Sequence, residues 1–441
     1  MSRRQYDITI FGATGLTGRH VVEQVFDLGT TQPSLLPSGF QWAVAGRNES
    51  ALVHVVDQCK QKYPRSCVPE PAIILANVTR RDTVDDMAQQ SKTIINAVGP
   101  FRFLGEYVVR SCVEQGCDYV DVTGEPEFVE RMQRTYHDQA KRNKTTIVHC
   151  CGFDSVPSDM GVLFVKQLYA ARGWTPAHVE MFLRIHCGAQ GLRGGYTTYE
   201  SAVHGFSAVH VLREIRKVSG LPSLPRTGPR LKFHKRATYD KELGMYHVPF
   251  MFADPSVIRL SQQLFLAGAG EPPEKTTEPM PPTVQFAGYL LLPSLWILIL
   301  YHIYGLIFSF LAASPWGRNM LLNHPERFTH GVFSKTDPTE EQLQQTSFEM
   351  ILRSKGYESA VVPSGEQPPN TSLKVVIRGP EMGYVATPRI VLQSALALLK
   401  EKSHGKVPFG VMTPSVAFWN TDLLDRLQSV GITFEEQQLV Q

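Results

Sequence analysis

The sequence predicts an α/β protein: a parallel-sheet domain joined to a second α+β domain, with a hydrophobic membrane hairpin inserted in the latter. Three observations predict it. Short apolar runs alternate with helix-period segments from Tyr6 to Ala171. A glycine-spaced turn follows the first of those runs. Finally, the 39 residues from Pro279 to Gly317 contain no Lys, Arg, Asp or Glu.

The first run lies in YDITIFGATGLTGR, Tyr6 to Arg19. Ile8, Ile10 and Phe11 lead into Gly12, Gly15 and Gly18, and Val21, Val22, Val25 and Phe26 then recur at helical spacing. Strand, tight turn and helix follow from that change of period. Gly12 permits the turn, Gly15 admits a pyrophosphate to the backbone, and Gly18 brings helix and strand together. A phosphate would rest on the helix N-terminus, where unpaired N–H groups and the positive end of the helix dipole point. Gly12, Thr14, Gly15, Leu16 and Gly18 are therefore candidate dinucleotide-binding residues of a Rossmann-type domain, against the alternative of a βα turn without ligand.

Thr30 to Gly39 is a turn-rich insertion, after which Gln41 to Gly46 resumes strand composition and ends at Arg47. A forked guanidinium at that strand end suits the 2′-phosphate of NADP better than the ribose of NAD, which is the less favoured cofactor. An ordinary exposed arginine is the alternative. A helix from Glu49, a strand at Ala72 to Ala76, a helix at Thr83 to Gln90 and a strand at Thr93 to Val98 continue the alternation, which implies right-handed crossovers. Asn96, Val98 and Gly99 fall on the carboxyl edge, where they would line the nicotinamide ribose unless the loop is only a connection.

Strands at Tyr119 to Val122 and Thr146 to Cys150 end in Thr123-Gly124-Glu125 and in GFDSVPSD, Gly152 to Asp159. The second end gathers carboxylates and hydroxyls. Asp154, Ser155 and Ser158 are candidates for orienting a carbonyl or exchanging its proton. Ser158 also reads as the N-cap of a helix over Met160 to Ala171, so helix-start chemistry is the competing role.

Basic and acidic residues number 44 and 41. No basic run, arginine-rich tail or basic strand interleaved with aromatics is read, so nucleic acid is not expected as a partner. The seven cysteines form no C-x-x-C pair and no zinc spacing. Buried reduced thiols facing the cytosol, and no metal, are expected. The first strand leaves no room for a removable leader, and the sequons at Asn48, Asn77, Asn143 and Asn370 are read as chance.

GATGLTGR, AGR at Ala45 to Arg47, NAVGPF at Asn96 to Phe101, GEP at Gly124 to Pro126 and GFDSVPSDMG at Gly152 to Gly161 together resemble the saccharopine dehydrogenase family. So do GYVATP at Gly383 to Pro388 and GVMTPSVAF at Gly410 to Phe418. The resemblance implies a Rossmann domain over residues 1–160, completed by a returning segment over 381–441, with a substrate or dimerisation-type domain over 161–380 between them. In keeping with that return, Val391, Leu392, Ala395, Leu398 and Leu399 make a helix face that needs a partner. Asn77 stands where related folds present an acid to the adenine amine, so its carbonyl is a candidate acceptor. Gly194 to Ser201 reads as a polar loop that could face substrate, where the resemblance favours Thr198 and Ser201, Thr198 being a further candidate for orienting a carbonyl or exchanging its proton. Strands are expected at Val179 to His186, Phe348 to Ser354 and Leu373 to Arg378, and connectors at Ser219 to Pro229 and Gly268 to Pro282.

The membrane segment is expected over 284–313. A spanning helix needs about 20 apolar residues. If the flanking strands share one sheet, however, both ends lie on one side, so two arms bent near Pro293 or Gly305 are expected to dip into a leaflet. An endoplasmic reticulum leaflet or a lipid-droplet monolayer, approached from the cytosol, fits such a hairpin. The leading function is an NADP-dependent oxidoreductase acting on a small-molecule or lipid substrate there, with a homodimer left open. The alternative is a cofactor-loaded or catalytically silent Rossmann scaffold on lipid droplets.

Overall fold

In a computed structural model, residues 4–207, 209–360 and 367–437 are described. Residues 1–3 and 438–441, at the ends of the expected domains, lie outside them. The chain divides into two compact units, Met1–Phe153 with Ala269–Thr277 and Gly383–Val430, and Asp154–Gly268 with Glu278–Met382 and Gly431–Gln441. The first unit therefore ends at Phe153 and not at residue 160.

The first unit is built on strands β1 (Tyr6–Phe11), β2 (Trp42–Gly46), β3 (Ala72–Leu75), β4 (Ser91–Asn96), β5 (Asp118–Asp121) and β6 (Thr146–Val148). With the late strand Gly410–Met412 they form a seven-stranded sheet, in the order Gly410–Met412, β6, β5, β4, β1, β2, β3. Every pairing is parallel. β1 lies between β4 and β2, so the order reverses there and the loops after β1 and β4 open side by side, the usual ligand position of such sheets. Trp42, Ala43, Val44 and Ala45 are all buried, as a strand covered on both faces requires. The helix Thr387–Ser403 packs on the helix Leu16–Thr31 and on β4 and β5. Val391, Leu392, Ala395 and Leu398 on it are buried, and Leu399 is half-buried.

The second unit holds a mixed seven-stranded sheet in the order Thr433–Gln437, Thr371–Pro380, Ser347–Tyr357, Thr175–His186, Gln285–Leu292, Met245–Pro249, Thr238–Asp240. Only Gln285–Leu292 and Thr175–His186 pair in parallel. The helix Val156–Ala171 lies on this sheet, where a Cβ at Gly161 would stand 2.4 Å from Ile377 Cδ1. Phe182, Tyr289, Leu291, Ile351 and Val376 form a separate cluster on which Leu231, Leu243 and Met245 pack.

Three expectations change here. The hairpin of two apolar arms does not form. Its first half, Gln285–Leu292, is an interior strand, because an apolar run of that length satisfies a buried strand as well as a helix. The second half is one unbroken helix, Leu295–Ala312, started by the Ser294 side chain, which accepts from Ile297 N. The polar loop at Gly194 to Ser201 is largely the helix Tyr196–Ser207, whose Tyr199 and Val203 pack with Leu311, Ala312 and Leu321. The tail does not return wholly to the first unit, since Thr433–Gln437 edges the second sheet. Ser219 to Pro229 holds no helix or strand, as expected of a connector, and is tied down by side chains: Gln263 Nε2 donates to Pro222 O, and Gln285 Nε2 to Thr227 O and Pro229 O.

Candidate functional site

The glycine turn is shaped by sterics. Gly12 has φ of 86°, and a Cβ there would lie 2.9 Å from Val98 Cγ2. A Cβ on Gly18 would lie 2.0 Å from Gly12 O, so only glycine lets the helix start so close to the strand end. Gly15 is the N-cap of Leu16–Thr31, with no side-chain cap and no acid in the first turn. That helix start offers unopposed N–H groups, and Thr14 and Gly15 are exposed beside it. Arg47, just beyond β2, is also exposed, and among the described residues no carboxylate pairs with it. A diphosphate and a 2′-phosphate fit these two features.

Asn77 and Asn96 are occupied otherwise than expected. Asn77 Oδ1 accepts from Thr79 N at 3.1 Å and from Thr79 Oγ1 at 3.0 Å, so both its lone pairs serve a local turn. Asn96 is fully buried and braces the loop from behind. Its Oδ1 accepts from Val98 N at 3.0 Å, and its Nδ2 donates to Tyr119 OH at 3.0 Å. Tyr119 OH donates onward to Asp121 Oδ2 at 2.9 Å, and His149 Nδ1 lies 2.7 Å from the same oxygen. Val98 and Gly99 remain partly exposed at the loop surface. The Gly99–Pro100 bond is cis, and Glu125 accepts from Phe101 N and Arg102 N at the next helix start.

The polar segment Asp154 to Asp159 opens the second unit. Its helix starts at Val156, earlier than expected, because Pro157 suits the first turn. Ser158 is thus inside the helix and not its N-cap; its Oγ donates to Ser155 O at 3.0 Å. Ser155 takes φ of 116°, outside the region side chains favour, and its fully buried Oγ has no partner. Strain of this kind collects at functional sites.

Sequence reading missed Asp254, which starts the helix Asp254–Leu266. It is 2 % exposed, its Oδ2 has no hydrogen-bond partner, and Ser158 and Asp154 lie near its carboxylate. Burial, reinforced by the nearby Asp154 charge, pushes Asp254 up to about 7. Burial likewise pushes Asp154 to about 6. Lys166 is lowered to about 8 by burial, with Asp159 opposing. Ser261 Oγ donates to Asp159 Oδ2 at 3.0 Å. No sequence signal singles out Asp254, which lies in an unremarked DPS helix start a hundred positions from its partners. Thr198 is placed elsewhere, exposed on the helix that packs on Leu295–Ala312.

Of the cysteines, Cys67 and Cys187 are exposed and the other five buried, and none is in a disulfide. Among the described residues no cluster of His, Cys, Asp or Glu could hold a metal ion.

Fold and site together define a dinucleotide-binding α/β protein with a second, mixed-sheet unit. Residues 8–148 match the family described as the saccharopine dehydrogenase NADP binding domain. The chain is 37 % identical to the human saccharopine dehydrogenase-like oxidoreductase over 435 residues, 98 % of this chain and 97 % of that one. It is 34 % identical to a probable mitochondrial saccharopine dehydrogenase-like oxidoreductase of Arabidopsis thaliana, over 98 % of this chain and 96 % of that one. It is 33 % identical to the lipid droplet localized protein of Caenorhabditis elegans, over 99 % of this chain and 98 % of that one. The fold is similar to that of apo saccharopine dehydrogenase (L-Glu forming) from Saccharomyces cerevisiae, with a TM-score of 0.50 at 11 % identity, covering 98 % of this chain and 100 % of that one. The chain belongs to the saccharopine dehydrogenase-like oxidoreductase family, and NADP is its cofactor.

Proposed function

We propose that this chain is an NADP-dependent oxidoreductase acting on a lipophilic substrate at a membrane or lipid-droplet surface, facing the cytosol. The observation that carries the lipid part is the helix Leu295–Ala312, where only Leu298, Leu311 and Ala312 are buried. Trp296, Leu306 and Phe310 on it are 66 %, 73 % and 78 % exposed. A face of that kind marks an interaction site, not a soluble surface. The strands before and after it belong to one sheet, so a single crossing does not suit it. Its two ends pack on the second unit through Leu298 and Tyr301, and through Phe308 and Leu311. It is therefore read as lying along a leaflet with its outer face immersed. The name of the Caenorhabditis elegans relative agrees with this reading.

Cofactor binding is assigned to Gly12, Thr14, Gly15, Leu16 and Gly18 at the diphosphate, Arg47 at the 2′-phosphate, and Val98 and Gly99 beside the nicotinamide ribose. When bound, NADPH supplies a hydride. Asp154, Ser155 and Ser158 are assigned the polar work on the substrate. Asp254 is assigned to hold a proton near neutral pH, beside Asp154 and Ser158.

Isothermal titration tests the cofactor site. Arg47→Asp is expected to weaken NADPH by about 10- to 100-fold, the worth of a charged hydrogen-bonded contact, and to leave NADH nearly unchanged. Equal loss of both would remove Arg47 from the site. Turnover of extracted lipids and metabolites by the purified protein then separates the enzyme from the scaffold, which would bind NADPH and yield no oxidised or reduced product.

A further inference from the structure

The near balance of charge over the whole chain conceals a basic stretch. Residues 209–236 hold eight of the lysines and arginines and one acid, Glu214. The helix Val209–Lys217 opens this stretch and has no buried residue. Val211, Leu212 and Ile215 share one side of it, while Arg213 and Lys217, four apart, share the other. It follows the helix Tyr196–Ser207, which packs against the carboxyl half of the apolar helix through Tyr199 and Val203.

The stretch ends beside the other half of the apolar helix. Ala237 packs in one cluster with Leu298 and Tyr301. The backbone leading to it is pinned to the sheet: Leu231 N donates to Gln285 Oε1 at 2.9 Å and His234 N to Tyr289 OH at 3.0 Å. Arg230, Lys232, Lys235 and Arg236 stand exposed on this fixed backbone. Among the described residues none of the four has a carboxylate partner. Cations on both flanks of an exposed apolar helix, four of them on a pinned backbone and Lys217 sharing its charge with Glu214, complement a surface that is apolar within and negatively charged at its rim.

We propose that Arg213, Lys217, Arg230, Lys232, Lys235 and Arg236 dock this chain on an anionic phospholipid surface and so select anionic membranes over neutral ones. This rests on the membrane reading of the apolar helix. A lysine or arginine near an anionic surface is worth about fivefold in partition, and the attraction fades as salt shortens the screening length.

Flotation of the purified full-length protein with vesicles of phosphatidylcholine, with and without phosphatidylserine, is the test. Phosphatidylserine is expected to raise the bound fraction by at least about tenfold at low salt, and added salt to cancel the gain. The combined variant Arg230→Glu, Lys232→Glu, Lys235→Glu and Arg236→Glu is expected to lose that gain while keeping its binding to neutral vesicles, its melting temperature and its NADPH affinity. Equal binding of the unmodified protein to both vesicles would overturn the proposal and leave the membrane reading standing. A charge-reversed variant that kept the preference would overturn it as well. Binding to neither vesicle would remove both readings.

Discussion

Among the described residues two helices, Leu295–Ala312 and Met382–Ser403 (Thr387–Ser403 with the π-helical turn Met382–Ala386 before it), are long and apolar enough by composition to cross a membrane, yet 17 % of the most apolar stretch of one is buried and 78 % of the other's. The second carries lysines in its last turn and is covered by the parallel sheet and the helix Leu16–Thr31. The first lacks charge and rests on its own unit through clusters near its two ends. Apolar composition states that a helix must be covered. The surrounding fold decides whether protein or lipid does the covering.

Charge placed in each helix separates the two most strongly. Leu392→Arg in the buried helix is expected to unfold the first unit, since an unpaired buried charge costs several kcal/mol against a total stability of about 5 to 15. Circular dichroism melting and NADPH titration would both register the loss. Leu306→Arg with Phe310→Arg in the exposed helix is expected to release the protein from membranes, at up to about 2.5 to 3.5 kcal/mol per charge, with melting and NADPH affinity unchanged. If the exposed-helix variant unfolds instead, the comparison fails.

Burial also sets the cost of a charge at Asp254. Its folded value, about 7, lies above the usual carboxylate value of 3.8, so the native state holds the extra proton between those pH values. Stability is then expected to fall as pH rises through that window. Asp254→Asn removes this slope and should raise stability at pH 8 by about 1 to 3 kcal/mol, read by denaturant titration across pH. A parallel pH profile for both proteins would contradict the buried-acid account. The smallest effect is expected at Gly305, where an added Cβ would meet nothing within 4 Å. Gly305→Ala should stabilise the exposed helix by about 0.5 to 1 kcal/mol, measurable as a small rise in melting temperature in detergent. A destabilisation there would show a covered face.

The parallel sheet was legible because its signals are local. A change from strand to helix period, a glycine where φ is positive and an arginine at a strand end are each visible within a few residues, and β1, β2 and the turn at Gly12 appear where the spacing places them. Family motifs extended that reading to the returning helix Thr387–Ser403. Other readings failed wherever a second partner decides the outcome. Asn96 looks like a ligand group until Tyr119 and Val98 N take both its ends.

The sequence by itself determined the α/β class, the glycine turn, Arg47 at its strand end and the need to cover an uncharged apolar stretch. Tertiary structure alone decided that half of that stretch is an interior strand, that the last strand edges the second sheet, and that Asp254 is buried near Asp154 and Ser158, about a hundred positions earlier in the chain. The physical reason is range: backbone sterics and periodicity act between neighbours, whereas burial, which sets both the fate of apolar surface and the cost of a charge, belongs to whatever the folded chain brings alongside.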